Sequence, residues 1–153
     1  MKKTILAIAL ILSALCPIAA QQTLNAKGDN IVGTYKSKQG DDVFKARITR
    51  MADGTYQGQI VWMEHDRDAN GEKILDKKNP DKSLRSQPAD RIILFSGLKY
   101  DNGNRRWGDT KIYDPQRGLK AKMTAEFTSD GRLRIKGTLL GISETVYWVR
   151  VSQ

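Results

Sequence analysis

The sequence has almost no cysteine or histidine. Among its 153 residues there is one of each, Cys16 and His65. A single histidine excludes a metal centre built on several imidazoles, and nothing resembling a nucleophile elbow or a phosphate-binding glycine loop accompanies it. We therefore interpret His65 as a surface residue beside a turn and predict no catalytic residue, no metal and no cofactor. Paired carboxylates leave hydrolysis as a remote alternative.

Long apolar runs are also scarce. The one uncharged run, from Ile5 to Leu15, follows two lysines and is shorter than the about 20 residues that a spanning helix needs. The small Ala20 then offers a cleavage site, as in a secretory signal peptide. We predict a signal peptide over residues 1–20 and a single folded domain over residues 21–153. This domain is expected in the periplasm or outside the cell, without a transmembrane segment.

Lipidation at Cys16 is the alternative to a cleaved, soluble product. Bacterial lipidation requires a small residue directly before the cysteine, and Leu15 occupies that position. We therefore assign Cys16 to the discarded leader. The processed chain then contains no cysteine, which excludes both a Cys–His catalytic pair and a stabilising disulfide.

Negative charge is the scarcer sign. The chain has 26 Lys and Arg against 17 Asp and Glu, a formal charge of +9, which falls to +7 when Lys2 and Lys3 leave with the leader. This balance favours anionic partners. Export removes the protein from most nucleic acid, and an aromatic content of 7% is low for a surface that stacks bases. Acidic lipids and glycans of the cell envelope are therefore the expected anions.

Apolar residues recur mostly at every second position, which is typical of half-buried strands. Eight strands are predicted, at residues 31–37, 43–51, 55–64, 91–99, 104–113, 119–128, 132–140 and 144–152. Tight turns separate them, except for one long connection over residues 65–90. We predict an all-β fold, an eight-stranded antiparallel up-and-down barrel, with a two-sheet sandwich as the alternative.

The apolar faces of these strands determine the register of two hairpins. A three-residue loop at residues 129–131 pairs Phe127 with Leu133, whereas a two-residue turn would set Phe127 against Arg134. A loop of the same length is expected at residues 52–54. Its inner-face pairs would be Phe44 with Trp62, Ala46 with Ile60 and Ile48 with Gly58.

The long connection carries the most unusual residues. Residues 66–71 copy the first half of a calcium-binding loop, but Lys77 stands where the bidentate glutamate is required. A solvated turn is therefore the better interpretation. The Asn-Pro-Asp sequence at residues 79–81 is typical of a helix start, with Asn79 as the cap, and predicts one short helical turn in this loop between strands 3 and 4.

The first predicted strand opens with Gly33-Thr34-Tyr35, which resembles the G-x-W start of the lipocalin-like, or calycin, barrels. Tyr35 replaces the tryptophan. In that class a basic side chain near the end of the barrel packs on the early aromatic residue. Arg150 holds the corresponding place, so the resemblance implies a cation–π contact between Arg150 and Tyr35.

Five segments together resemble the domain-of-unknown-function family 2147 of small exported bacterial proteins. Its G-x-W, G-x-I-V-W, N-P-D-x-x-L-R, W-x-G-x-I-Y-D-P and W-x-R motifs match, in order, residues 33–35, 58–62, 79–85, 107–115 and 148–150. The principal motif residues are Gly33, Tyr35, Asn79, Pro80, Asp81, Leu84, Arg85, Trp107, Tyr113, Asp114, Pro115, Trp148 and Arg150. The chain departs from the pattern at Asp109 and at residues 119–121. The resemblance implies a calycin-like barrel and supplies no established activity.

The mouth of such a barrel is a frequent ligand site. The leading hypothesis is a non-enzymatic binding domain that takes a small apolar or amphipathic ligand there. Aromatic walls with a cation suit a lipid-like body with an acidic head. The candidate ligand contacts are Trp62, Arg85, Trp107 and Tyr113, for which anchoring of the core and loops is the competing interpretation.

A surface function is the alternative. The register places five cations on one outer face, relieved only by Glu126; they are Lys120, Lys122, Arg132, Arg134 and Lys136. Such a face could bind acidic lipid or glycan, or it could simply be solvated on a purely structural or interaction module.

The leader makes a direct prediction. Mass spectrometry of the protein recovered from the cell envelope should find Gln21 at the N-terminus, because cleavage is expected after Ala20. Recovery of a chain that begins at a lipidated Cys16 would contradict the assignment of a soluble product.

Overall fold

The computed structural model describes residues 17–153, in which the chain runs back and forth as eight strands. The strands are β1 (Gly33–Gln39), β2 (Asp42–Arg50), β3 (Tyr56–Met63), β4 (Ile93–Asp101), β5 (Arg106–Asp114), β6 (Leu119–Phe127), β7 (Leu133–Leu139) and β8 (Ile142–Ser152). The helical elements described are α1 (Pro17–Leu24) and 3₁₀ turns at Gly28–Ile31, Lys82–Leu84 and Ala89–Arg91.

Each strand pairs antiparallel with its neighbours in the sequence, and β8 pairs with β1 to close the barrel. The predicted eight-stranded up-and-down barrel is therefore confirmed. The sandwich alternative is wrong, because closure leaves no pair of separate sheets. Within residues 17–153, no helix is long and apolar enough to cross a lipid bilayer.

The features that predict a leader mostly precede this region. The two lysines, the apolar run and Cys16 lie outside the described residues. The predicted cleavage point after Ala20 lies within α1. The first side chains that pack against the barrel core come just after it, at Leu24 and Asn25.

The β6–β7 hairpin has the register that its apolar pattern predicts. Phe127 pairs with Leu133, and Glu126 pairs with Arg134. The side chains of Phe127 and Leu133 are fully buried, so the apolar face of each strand points inward. Gly131 supplies the left-handed conformation of the loop, with a φ of 82°.

The β2–β3 hairpin follows its predicted register only in part. Ala46 pairs with Ile60, as expected, but the register shifts by one residue between Lys45 and Ala46, so that Lys45 pairs with Trp62. A one-residue bulge moves the following side chains to the opposite face of the sheet. The predicted pairing of Phe44 with Trp62 on the inner face is therefore wrong.

Arg150 joins the last strand to the first. Its guanidinium lies 5.2 Å from the Tyr35 ring centroid, which confirms the expected cation–π contact, and donates a 2.7 Å hydrogen bond to the Tyr35 hydroxyl. It also donates to the backbone carbonyls of Val32, at 3.1 Å, and Asn30. Burial raises the pKa of Tyr35 to about 12, although Arg150 acts in the opposite direction.

The segment between α1 and β1 seals one end of the barrel, which we call the closed end. Asn25 caps the end of β6, because its amide donates to the Phe127 carbonyl (2.9 Å) and accepts from the Phe127 N–H (2.8 Å). The Trp107 indole donates to the Gly28 carbonyl at 3.0 Å. Tyr100 donates to the Asn25 carbonyl at 2.6 Å. This end is therefore filled by protein.

The opposite end carries four connections, at residues 40–41, 64–92, 115–118 and 140–141, and we call it the open end. The last of these is a two-residue turn in which Leu140 (φ 50°) and Gly141 (φ 80°) both adopt the left-handed conformation. This conformation costs a residue other than glycine about 1–2 kcal/mol. The Leu140 side chain is almost fully exposed, so apolar burial does not offset this backbone cost.

The closed end should depend strongly on Asn25. Replacement by Ala leaves the buried N–H and carbonyl of Phe127 without partners, so we expect the free energy of unfolding to fall by about 2–4 kcal/mol. Denaturant unfolding of Asn25→Ala measures this loss.

The matched control is Asn70→Ala, at an exposed turn position. It should change the free energy of unfolding by less than about 0.5 kcal/mol. Equal effects of the two substitutions would contradict a sealing role for Asn25.

Candidate ligand-binding site at the open end

A cavity of ≈ 350 Å³ enters the barrel from the open end. Its walls are mainly apolar and include Phe44, Leu94, Ile112, Ile135, Val146 and Trp148. The indole of Trp148 forms part of its inner surface and packs edge-on against Phe44, with ring centroids 6.0 Å apart.

Two small residues make room for this cavity. Ala121 and Gly137 lie in the adjacent strands β6 and β7, and a Cβ added at Gly137 would lie 3.3 Å from the Ala121 Cβ. In the same strands nearer the closed end, the inward positions hold larger residues such as Phe127 and Leu133. The change in side-chain size along β6 and β7 therefore leaves the barrel hollow at one end.

Charged residues cluster at the mouth of the cavity. Arg117 is the single Lys or Arg among the described residues that line it. Its guanidinium binds both carboxylate oxygens of Glu144, at 3.0 and 2.5 Å, and its Nε lies 2.9 Å from Asp114. The hydrogen bond from Arg117 lowers the pKa of the Glu144 carboxyl, and the same bond raises the pKa of Arg117. The mouth thus holds one cation that is paired with two carboxylates.

A buried polar network fastens the long connection beside this mouth. Tyr113 donates a 2.7 Å hydrogen bond to Asp76, whose other oxygen accepts from Asn79 at 2.6 Å. Asp76 and Asn79 are buried. Burial, and then the hydrogen bond to Asp76, raise the pKa of the Tyr113 hydroxyl. The N-P-D and I-Y-D-P segments therefore meet in space through Asp76, a residue that the sequence did not single out.

Gly118 allows a second close contact between the long connection and the β5–β6 turn. Its φ is 68°, and a Cβ at this position would lie 2.3 Å from the Lys78 carbonyl oxygen. The Lys78 ammonium donates to the Gln116 carbonyl at 2.6 Å. The connection therefore has contacts to the β5–β6 turn on both sides of Arg117.

The short helical turn predicted near residue 80 is confirmed at Lys82–Leu84. Its cap is Asp81, which accepts from the Ser83 N–H at 2.9 Å, and not Asn79. The Asn79 side chain instead accepts from the Asp81 N–H, two residues before the position that caps the helix.

Three of the four predicted ligand contacts lie away from the cavity. Trp62 is 41% exposed on the outer face, and the Lys45 ammonium lies 5.0 Å from its ring centroid. It points outward because Val61 forms a one-residue bulge in β3, between the partners of Lys45 and Ala46. Trp107 is buried at the closed end, where it packs against Phe127. Arg85 donates to the Asn79 carbonyl at 2.8 Å, a contact within the long connection. Only Tyr113 borders the cavity.

The calcium-like sequence at residues 66–71 forms a turn whose carboxylates have internal partners. Asp68 accepts hydrogen bonds from the N–H groups of Asn70 and Glu72. Asp66 forms a salt bridge with Lys73 at 2.5 Å. In the part of the chain that the structure describes, no three His, Cys, Asp or Glu side chains come together as metal ligands. His65 is exposed.

The closed eight-stranded antiparallel barrel, with one sealed end and one hollow end, is a lipocalin-like fold. A similar solved structure is that of HP1028 from the human pathogen Helicobacter pylori, described as belonging to the lipocalin family. The two have a TM-score of 0.63 and 22% sequence identity, over 80% of this chain and 84% of that chain, which establishes a shared fold. The chain itself belongs to the family described as uncharacterized protein conserved in bacteria (DUF2147), whose model matches residues 33–150. A comparison with curated proteins found no match.

The Tyr113 hydroxyl should stabilise the fold through Asp76. Tyr113→Phe removes one donor from a buried carboxylate, so the free energy of unfolding should fall by about 1–3 kcal/mol at neutral pH. Above about pH 10 the unfolded wild-type chain loses the tyrosine proton while the folded chain keeps it, which lowers wild-type stability. The gap between wild type and variant should therefore narrow as the pH rises, in denaturant titrations at several pH values.

Tyr147→Phe is the control, since Tyr147 is exposed on the outer face of β8. This substitution should leave stability unchanged within about 0.5 kcal/mol. A Tyr113→Phe protein as stable as wild type at neutral pH would show that the network does not hold the connection.

Proposed function

We propose that this protein is an exported, non-enzymatic binding protein that takes one small apolar or amphipathic ligand into the cavity at the open end. The observation that carries the proposal is the apolar cavity of ≈ 350 Å³. Small-molecule sites have volumes of roughly 300–1,000 Å³, with apolar walls and a few polar groups, so this cavity suits a ligand at the small end of that range.

The polar groups at the mouth support an amphipathic ligand. Arg117 lies where the head group of a ligand with its apolar body in the cavity would emerge. A ligand carboxylate or sulfonate could replace Glu144 as the bidentate partner of this guanidinium. Arg117, rather than the predicted Arg85, is therefore the cation that we assign to the head group.

The leader pattern supports export to the periplasm or beyond, as proposed from the sequence. The protein would then meet its ligand in the envelope or outside the cell. The basic outer face of β6 and β7 supports a second candidate function, binding to acidic components of the envelope.

Filling the cavity should abolish ligand binding. The neutral dye phenylnaphthylamine should bind one to one and gain fluorescence, and its affinity should survive high salt because apolar burial is not screened. Ala121→Phe places a ring in the cavity and should weaken this binding by at least about tenfold. Thr124→Phe adds a ring to the outer face of the same strand and should leave the affinity unchanged.

A sulfonated analogue, anilinonaphthalene sulfonate, tests the head-group site in the same titrations. The affinity for this sulfonate should fall about two- to fivefold in Arg117→Gln, which removes the cation, and rise by a similar factor in Glu144→Gln, which removes the competing carboxylate. The changes are small because Arg117 and Glu144 are exposed and interactions between exposed charges are weak. The neutral dye should respond to neither substitution. Failure of wild-type protein to take up either dye, or equal effects of Ala121→Phe and Thr124→Phe, would overturn the proposed function.

A further inference from the structure

The tip of the β7–β8 hairpin is apolar and exposed. Leu140 is 93% exposed and Ile142 is 72% exposed, and Leu139 completes a run interrupted only by Gly141. An exposed apolar cluster of this kind marks a contact surface more often than a solvated one. Leu140 also holds a left-handed conformation that asparagine or glycine would adopt with less strain, so folding does not account for leucine at this position.

Cations flank this tip on the outer face of the barrel. Lys122 on β6 pairs with Thr138 on β7, so Lys120 lies beside the turn at residues 140–141. Lys136 lies on the same face of β7, two residues before Thr138. All three lysines are exposed, and among the described residues none forms a salt bridge. Arg134 is different, since it pairs with Glu126. Apolar and basic surface are therefore contiguous at one edge of the open end.

We propose that the β7–β8 tip and the neighbouring Lys120, Lys122 and Lys136 form a docking surface for an anionic lipid bilayer. The leucine and isoleucine side chains enter the boundary between head groups and acyl chains, and the lysines contact lipid phosphates. An acidic glycan would use the lysines but would leave Leu140 and Ile142 in water. The combination of the two features favours lipid.

Docking in this way would bring the cavity to the membrane. Leu139, Leu140 and Ile142 border the mouth of the cavity as well as forming the tip. A ligand could then pass between bilayer and barrel without crossing water. This last step rests on the proposed function, whereas docking itself does not require the cavity to hold a ligand.

Vesicle sedimentation of the full-length purified protein tests the proposal. Wild type should bind vesicles of phosphatidylglycerol and phosphatidylcholine in equal parts, and much less tightly vesicles of phosphatidylcholine alone. Leu140→Asp should weaken binding to the acidic vesicles by about tenfold or more, from lost apolar burial. Each of Lys120→Glu and Lys122→Glu should weaken it by at least about fivefold and reduce its sensitivity to salt.

Two control variants carry the same chemical changes elsewhere. Met51→Asp alters an exposed apolar residue at the closed end, and Arg47→Glu reverses an exposed cation on β2, across the barrel from β6. Neither should change vesicle binding. Any contribution from the predicted leader, residues 1–20, is common to all variants, so differences among them report on the barrel.

Three outcomes would overturn the proposal. If Leu140→Asp and Met51→Asp changed vesicle binding equally, the β7–β8 tip would not contact the bilayer. Loss of self-association in Leu140→Asp, with no vesicle binding by wild type, would assign the tip to a second copy of the chain. Binding to a soluble acidic polysaccharide that needs the lysines but not Leu140, without vesicle binding, would assign the face to a glycan. None of these results depends on dye uptake by the cavity.

Discussion

Closure of the barrel depends on one partly buried cation, Arg150. The ladder between β8 and β1 is short, with residues 34–36 opposite 149–152, and Arg150 adds contacts that the backbone cannot make. Its hydrogen bonds reach the Tyr35 hydroxyl and the carbonyls of Asn30 and Val32, so it connects the last strand to the first strand and to the sealing segment. The Tyr35 and Phe127 rings lie against the guanidinium on the interior side. No carboxylate within residues 17–153 pairs with this partly buried charge, which is tolerated because carbonyl dipoles and ring faces replace water.

This arrangement divides the barrel into a filled half and a hollow half. At the closed end, Arg150 and the large side chains around it fill the interior, and Asn25 satisfies the end of β6. At the open end, small residues at 121 and 137 replace large ones, and the interior becomes a cavity. Arg150 and Asn25, which close the fold, do not line the cavity, so substitutions of small residues such as Ala121 can change the cavity without removing those contacts.

Much of the fold could be predicted from the sequence, because apolar and polar residues that alternate along a strand point to opposite faces of the sheet. All eight strands were predictable, and so was the β6–β7 register, since only one loop length keeps Phe127 and Leu133 on the same face. The contact between Tyr35 and Arg150 was predicted from the resemblance of the G-x-aromatic start and the final arginine to the calycin barrels. These features depend on local pattern and on motif order.

The candidate site was much less predictable. Trp62 was misplaced because one extra residue in β3, Val61, puts the residues that follow it on the opposite face of the sheet, and no glycine or turn residue marks that bulge. Asp76 and Arg117 acquire their partners from loop conformations that bring residues 37 and 27 positions away into contact. Glu144 was within reach of sequence reasoning. Extending the alternation of β7 across a two-residue turn at 140–141 places Glu144 opposite Gly137, on the inner face.

The contact between Asn25 and Phe127 has a consequence for the order in which the molecule can fold. The two residues are 102 positions apart, and Arg150 reaches back over 120 positions to Asn30. Contacts of such sequence separation form late, because a long loop must close before they contribute any stability. The N-terminal segment cannot pack against the barrel before β6 has formed, because Asn25 binds the end of that strand. The barrel cannot close before β8 has been synthesised, because β8 pairs with β1. A chain that leaves a ribosome or a translocation channel N-terminus first therefore stays open until almost all of it has emerged.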